Sequence, residues 1–194
     1  MPELPEVETV ACALRPHLLG RRITGVETFC AALRTPLRLE ADAERLTARI
    51  VDIRRRAKYI IVELGNLQVI LMHLGMTGYC RIVPAKEPRL KHEHVVFTLD
   101  DGLTWRFNDA RRFGRVEVHS VPRPGAEPEV LAGLGAEPLS EAFSGDMLHR
   151  LCRGRKTPVK HLIMDGRHLV GVGNIYASEA LWRAGIHPAR AAGR

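Results

Sequence analysis

Eight short segments with a β pattern crowd residues 23 to 119, and they constrain the fold more than any other feature of this chain. They run Ile23–Phe29, Ala48–Arg54, Tyr59–Leu64, Val69–Leu71, Gly78–Val83, Val95–Leu99, Leu103–Phe107 and Arg115–His119. Runs of this length and composition, closely spaced, favour a β-sandwich or a barrel-like domain. Breakers separate several of them, at Gly65-Asn66, at Pro84 to Pro88 and at Asp101-Gly102, the last a good hairpin signal. One helix precedes the strands: Leu4, Val7, Val10, Ala11, Leu14 and Leu18 recur at helical spacing through residues 5 to 19, and Gly20 ends the pattern.

Composition changes at Val121 to Pro138, where Pro122, Pro124, Pro128 and Pro138 mix with Gly and Glu. Such a stretch reads as a linker or boundary. The pattern beyond it is helical. Leu139 to Cys152 is one candidate helix. Thr157-Pro158 supplies a cap and a first-position proline for a second, through Met164, and Asn174 opens a third that ends at Gly185. The expected class is α+β: an N-terminal β-sandwich domain with its helix at 1–120, a linker at 121–138, and a partial helical domain at 139–194.

The first residues, Met1-Pro2-Glu3-Leu4-Pro5-Glu6-Val7-Glu8, carry chemistry as well as a helix start. An initiator Met ahead of a residue as small as proline is normally trimmed, which would expose Pro2 as a secondary amine. An α-amine has a reference pKa of about 7.7–8.0, so a useful fraction is unprotonated near neutrality. A Schiff base needs such an amine beside an acid that can protonate the oxygen of the group being opened, and Glu3 is adjacent. Pro5 suits the first helical position, with Glu6 and Glu8 in the first turn. By themselves these residues also read as a capped helix at a chain end.

Charge points to a polyanionic partner: 29 Lys and Arg stand against 22 Asp and Glu, a net charge of +7. The acidic N-terminus lacks a signal-peptide core, and no apolar run approaches the roughly 20 residues of a membrane span. A cytoplasmic protein without a membrane role is therefore expected. Cys12, Cys30, Cys80 and Cys152 are far apart and form no paired knuckle, so neither a structural zinc site nor a disulfide framework is expected from them. His92-Glu93-His94 places two imidazoles on one strand face without a third ligand, so no metal residues are assigned.

Four further stretches stand out. Arg54-Arg55-Arg56-Ala57-Lys58-Tyr59 joins two strands; such a run is ordinarily a solvated face, but Lys58 adjoins the apolar strand Tyr59 to Val62, so its stem can be part-buried while its ammonium reaches an anion. His73-Leu74-Gly75-Met76-Thr77-Gly78 is a turn with a methionine at its tip, either packed inward or offered to a partner. Asn108 to Arg115 places Phe113 among arginines, a mixture suited to nucleic acid. Gly171-Val172-Gly173-Asn174 precedes a helix and allows close backbone approach, but Tyr176 occupies the third glycine position of a dinucleotide fingerprint, so that site is rejected.

Together these stretches resemble the formamidopyrimidine-DNA glycosylase family, bacterial bifunctional enzymes that excise oxidised purines. The matching segments are PELPEVE at 2–8, RRAKY at 55–59, HLGMTG at 73–78, KHEHV at 91–95, RRFG at 111–114, KTPVKHLIMD from 156, and VGVGNIYASEAL ending at 181. PELPE rather than PEGPE resembles the oxidised-purine branch more than the oxidised-pyrimidine one. The resemblance implies that Pro2 attacks C1′ of the damaged nucleotide, that Glu3 manages protonation of the sugar-ring oxygen, and that Lys58 contacts phosphate beside the lesion and joins the chemistry. Met76, Arg111 and Phe113 match residues that fill the gap left by the everted base. His73, His92, Lys160 and Asn174 match phosphate-side contacts.

The resemblance also implies a helix–two-turn–helix module, double-stranded DNA bearing oxidised purines or abasic sites as partner, a monomer, and a place at the bacterial nucleoid. Two departures are visible. Ala110 stands where the family commonly has proline, and the 194 residues stop within the helical module. The family's zinc, held by four cysteines in a C-terminal finger, has no counterpart here, so no cofactor is expected in this chain. Two rival readings remain: a DNA-binding or abasic-site-binding remnant with little base excision, and a β-sandwich protein unrelated to DNA.

Overall fold

A computed structural model describes all 194 residues. They form two compact units, one of residues 1–55 and 59–129, the other of 56–58 and 130–194. No helix is long and apolar enough to cross a membrane.

The first unit begins with α1 (Leu4–Leu18), whose Val7, Ala11, Leu14 and Leu18 enter the core at the 3.6-residue period. Glu3 is its N-cap in a capping box, and the Glu3 N–H donates to Glu6 Oε2 at 2.8 Å. The helix thus starts one residue earlier than expected, with Pro5 in its second position, because the Glu3–Glu6 pairing caps it ahead of the proline.

Eight strands follow: β1 (Ile23–Thr28), β2 (Ile50–Arg56), β3 (Tyr59–Leu64), β4 (Gln68–His73), β5 (Tyr79–Pro84), β6 (Glu93–Leu99), β7 (Leu103–Asn108) and β8 (Arg115–Ser120). A short helix, α2 (Ala43–Leu46), lies between β1 and β2. The strands make two four-stranded sheets, ordered β1-β6-β7-β5 and β2-β3-β4-β8. Phe97, Trp105 and Phe107 of the first sheet and Ile60, Val62, Ile70 and Met72 of the second share one buried cluster with α1. The expected sandwich with an N-terminal helix is present. Register places Phe97 opposite Trp105, and their rings stack at 4.6 Å. Asp101-Gly102 turns the β6–β7 hairpin with Gly102 at φ 81°. Strand ends move by up to two residues from the sequence reading, β2 most: Ala48 and Arg49 precede it, and it runs on to Arg56.

The second unit holds α3 (Gly145–Cys152), α4 (Val159–Ile163) and α5 (Asn174–Arg183). Ile163, Ala177 and Leu181 form its small core with Leu148, Val159 and Ile186 against them. Two helix starts differ from expectation. The helix expected from Leu139 starts only at Gly145: Ser140 and Phe143 close turns instead, and Ser144 is the residue whose Oγ accepts the Met147 N–H at 3.1 Å. Thr157 does not cap α4, because its carbonyl accepts from Ala192 and the extended backbone makes Pro158 the cap. Asn174 opens α5 as expected, with Gly173 as its cap. The helix ends at Arg183, with Gly185 turning at φ 67° so that Ile186 N–H reaches the Leu181 carbonyl. Between α4 and α5, bonds from Asp165 to Leu162 and from His168 to Asp165 close two successive turns.

Candidate nucleic-acid interface and active site

In the first unit the N-terminal pair sits at the head of α1. Pro2 is half-buried, and Glu3 is buried at 2% exposure while it serves the helix as N-cap. One turn on, Glu8 accepts from Arg55 at 2.9 Å and pairs with Arg15 at 3.4 Å. Burial pushes the Glu8 carboxyl upward, but the bonds from Arg55 and Cys12 and the charge of Arg15 outweigh it and hold the group below its usual range. The head of α1 is therefore locked down along the face that follows the amine.

Two loops of the same unit carry three exposed residues of the expected set. Met76 is 39% and Phe113 45% exposed, and Arg111 is exposed beside them with its guanidinium carbon 4.7 Å from the Phe113 ring centre. Met76 is thus presented outward and not packed into the core. What holds these tips in place is Asp109, a fully buried carboxylate at the end of β7. Its Oδ1 accepts from Thr77 Oγ1 at 2.6 Å and its Oδ2 from the Gly114 N–H at 2.8 Å. Sequence reading overlooked Asp109, and an Asp after Asn in an Arg-rich loop carries no signal of burial.

His73 ends β4, where its Nδ1 accepts the Gly75 N–H at 3.0 Å and its ring meets Tyr59 edge-on at 5.0 Å. His92 immediately precedes β6 and stands 6.1 Å from the His94 ring. Burial is the largest influence on His94 and, with the charges of Arg112 and His92, lowers it below its usual value; its Nε2 lies 3.1 Å from the Asp109 carbonyl. No group of three or more His, Cys, Asp or Glu side chains gathers anywhere as a metal site, and the four cysteines are free. The residues present do not make a zinc finger.

The segment that carries His92 is anchored by a second residue missed from sequence, Glu93. Buried completely, it accepts from Arg81 at 2.5 Å, Arg106 at 3.1 Å and the Leu90 N–H at 2.9 Å. Burial alone would raise its carboxyl; the Leu90 amide and the two guanidinium groups win and lower it from the ordinary 4.5. The sign follows: this carboxylate's stabilising contribution is complete above 4.5 and is lost as pH falls through the lower folded value. Glu93→Gln should therefore cost about 3 kcal/mol near neutrality, where buried Arg106 loses its carboxylate and Arg81 keeps only Glu87, and far less in acid. Urea unfolding at several pH values measures both; an equal loss at every pH would contradict the ion-pair account.

The arginine run is neither a solvated face nor an open cationic strip. Arg54 pairs with Glu63 at 2.6 Å and Arg55 with Glu8, both in the first unit. In the second unit, Arg56 pairs with Glu137 at 3.1 Å and donates to the Leu134 and Gly135 carbonyls. Glu137 also accepts the Ala57 N–H at 2.6 Å, fixing a turn in which Ala57 sits at φ 54°. Lys58, half-buried, follows this clamped turn. Glu137 lies in a Pro-rich stretch read only as linker, so its anchoring role left no trace in local sequence.

Lys160 and Asn174 come together in that second unit. Lys160 Nζ donates to Ser178 Oγ at 2.9 Å, and Ser178 in turn donates to the Asn174 carbonyl at 2.8 Å. A cation is thereby held beside the N-terminal half of α5, whose dipole favours an anion.

Comparison with known proteins follows the same division. The family model described as the formamidopyrimidine-DNA glycosylase N-terminal domain matches residues 1–116, and that described as the H2TH domain matches residues 134–194. The formamidopyrimidine-DNA glycosylase of Geobacter sulfurreducens is 50% identical over 194 residues, which are all of this chain and 70% of that protein. That of Hahella chejuensis is 47% identical over 193 residues with the same coverage, 100% and 70%. Among solved structures, Lactococcus lactis Fpg in complex with abasic-site DNA superposes with a TM-score of 0.87 at 30% identity, over 99% of this chain and 70% of that one. The wild-type Lactococcus enzyme with DNA containing N7-benzyl-Fapy-dG gives a TM-score of 0.88 at 31% identity, over 99% and 71%.

Proposed function

This chain belongs to the formamidopyrimidine-DNA glycosylase family of base-excision repair, and from that premise we propose that it excises oxidised purines, 8-oxoguanine and formamidopyrimidines, from duplex DNA and nicks the strand by β- and δ-elimination. The observation that carries this reading is the outward display of Met76, Arg111 and Phe113 on two loops supported by buried Asp109. An apolar tip in solvent contributes nothing to the fold, whereas a tip that enters a base stack replaces the everted nucleotide. The base turned out in this way exposes C1′ to the N-terminal amine.

In the chemical step the Pro2 nitrogen bonds to C1′ and sheds its proton, and the glycosidic bond breaks with its electron pair leaving on the base, which takes up a proton. The ring oxygen then takes a proton managed by Glu3 as the sugar opens, leaving an iminium between Pro2 and C1′. That electron sink acidifies the C2′ proton; its loss expels the 3′ phosphate, and a second elimination expels the 5′ phosphate. Lys58 holds phosphate beside the lesion through these steps. His73, His92, Lys160 and Asn174 contact the flanking backbone and fix its register. The proposed layout places catalysis in residues 1–120, a linker at 121–138 and DNA grip in 139–194.

Binding should weaken linearly in log salt, with a slope near −0.9 per phosphate neutralised. Since Arg54, Arg55 and Arg56 already face carboxylates, much of the slope is expected to come from Lys160 and the exposed Arg111 and Arg112. Lys160→Ala should reduce it by about one on damaged and undamaged duplex alike. A flat salt plot for the unaltered chain would rule out the phosphate-contact reading. A second reading is binding without efficient excision. Release of free 8-oxoguanine from duplex in single-turnover conditions separates the two.

A further inference from the structure

The two exposed tips are joined at one small side chain. Thr77 Oγ1 donates to Asp109 Oδ1 at 2.6 Å and accepts the backbone N–H of Arg111 at 3.3 Å. It therefore ties the turn that carries Met76 to the loop that carries Arg111 and Phe113. Beneath it the backbones are in contact. A Cβ on Gly75, whose φ is 64°, would stand 2.5 Å from the Gly114 nitrogen, and one on Gly114 would stand 2.8 Å from the His73 carbonyl oxygen. Arg112, at φ 55°, reverses the chain so that Arg111 comes over Phe113. Asp109 is buried with its two oxygens divided between the two loops, so neither loop shifts without stranding a carboxylate.

We propose that Thr77 and Asp109 are positioning residues, a latch that makes the Met76 turn and the Arg111–Phe113 loop enter a duplex as one body and so sets the preference for a gap over intact DNA. The inference rests on the reading that these tips fill the gap. Ordering each loose side chain on binding costs about 0.5–1.5 kcal/mol, and a shared, preformed support removes part of that cost. Thr77 itself is exposed, so its hydroxyl serves the junction between the loops and not the core. Removing it leaves Asp109 Oδ1 short of a donor and the Arg111 N–H without an acceptor, while the sheets are untouched.

The test is equilibrium binding of the 194-residue chain to a duplex with a tetrahydrofuran abasic analogue and to the same duplex undamaged. Thr77→Val should lower the ratio of the two affinities roughly five- to tenfold, the scale of one ordinary net hydrogen bond. Its affinity for undamaged duplex and its salt slope should match the native chain, while its thermal melt falls because buried Asp109 Oδ1 loses a donor. Thr77→Ser, which keeps the hydroxyl, should restore the ratio to within about twofold of native, and Asp109→Asn should move it as Thr77→Val does. Native preference in Thr77→Val, or failure of Thr77→Ser to restore it, overturns the latch. Met76→Ala and Phe113→Ala separate the premise from the inference: if both lose the preference while Thr77→Val keeps it, gap filling stands and the latch falls. If the native chain shows no preference, gap filling falls first and takes the latch with it.

Discussion

Borohydride trapping on an abasic duplex is expected to give a covalent adduct when Pro2 is the free N-terminus and none when Met1 or an uncleaved tag precedes it. A proline nitrogen within a peptide bond has its lone pair delocalised into the carbonyl and cannot attack C1′. The same nitrogen, once free, is a secondary amine that forms an iminium directly. Pro2→Gly should retain part of the adduct, since a primary amine also condenses with an open sugar. Glu3→Gln should slow release of a damaged base by about 10²–10⁴-fold, the usual range for a positioned proton donor or acceptor, with DNA binding intact. Because Glu3 is buried and caps α1, glutamine is the substitution that keeps its shape there. Equal adduct from free and blocked N-termini would move the nucleophile elsewhere, with Lys58 the first residue to test.

The second large effect concerns the tips. Met76→Ala and Phe113→Ala should reduce excision from intact duplex by about tenfold or more, and impair it more than reaction at abasic sites. Unstacking a base costs a few kcal/mol, and an abasic site has already met that cost. Exposure decides what else to expect: side chains at 39% and 45% accessibility contribute little to folding, so melting should shift by no more than about 0.5 kcal/mol. Loss of stability together with equal loss on both substrates would identify them as packing residues. Phe113 also shields the Arg111 guanidinium from one side, so Phe113→Ala is expected to be the more damaging of the two.

Local sequence determined a good deal here. The short β-patterned runs became eight strands in two sheets, the helical spacing of Val7, Ala11, Leu14 and Leu18 became a core-facing stripe, and Asp101-Gly102 became a hairpin turn. These features depend on side chains a few residues apart, so the chain states them in order. The N-terminal Pro-Glu pair and the Met and Phe tips were equally legible, because an unusual residue in a turn is visible without knowing its neighbours.

Where local signals competed with distant partners, the tertiary structure decided. Leu139 suggested a helix that its exposure and the turns at Ser140 and Phe143 preclude, and Thr157 was drawn from capping by a bond to Ala192. Four cations in five residues read as a surface strip, yet Arg54, Arg55 and Arg56 each meet a carboxylate from 9 to 81 positions away in the chain. Asp109 and Glu93 look like ordinary surface acids until the fold buries them and surrounds them with donors. Period and turn chemistry act through neighbours along the chain. The cost of burying a charge is set by whatever partners the completed fold brings to it, and only the three-dimensional arrangement names them.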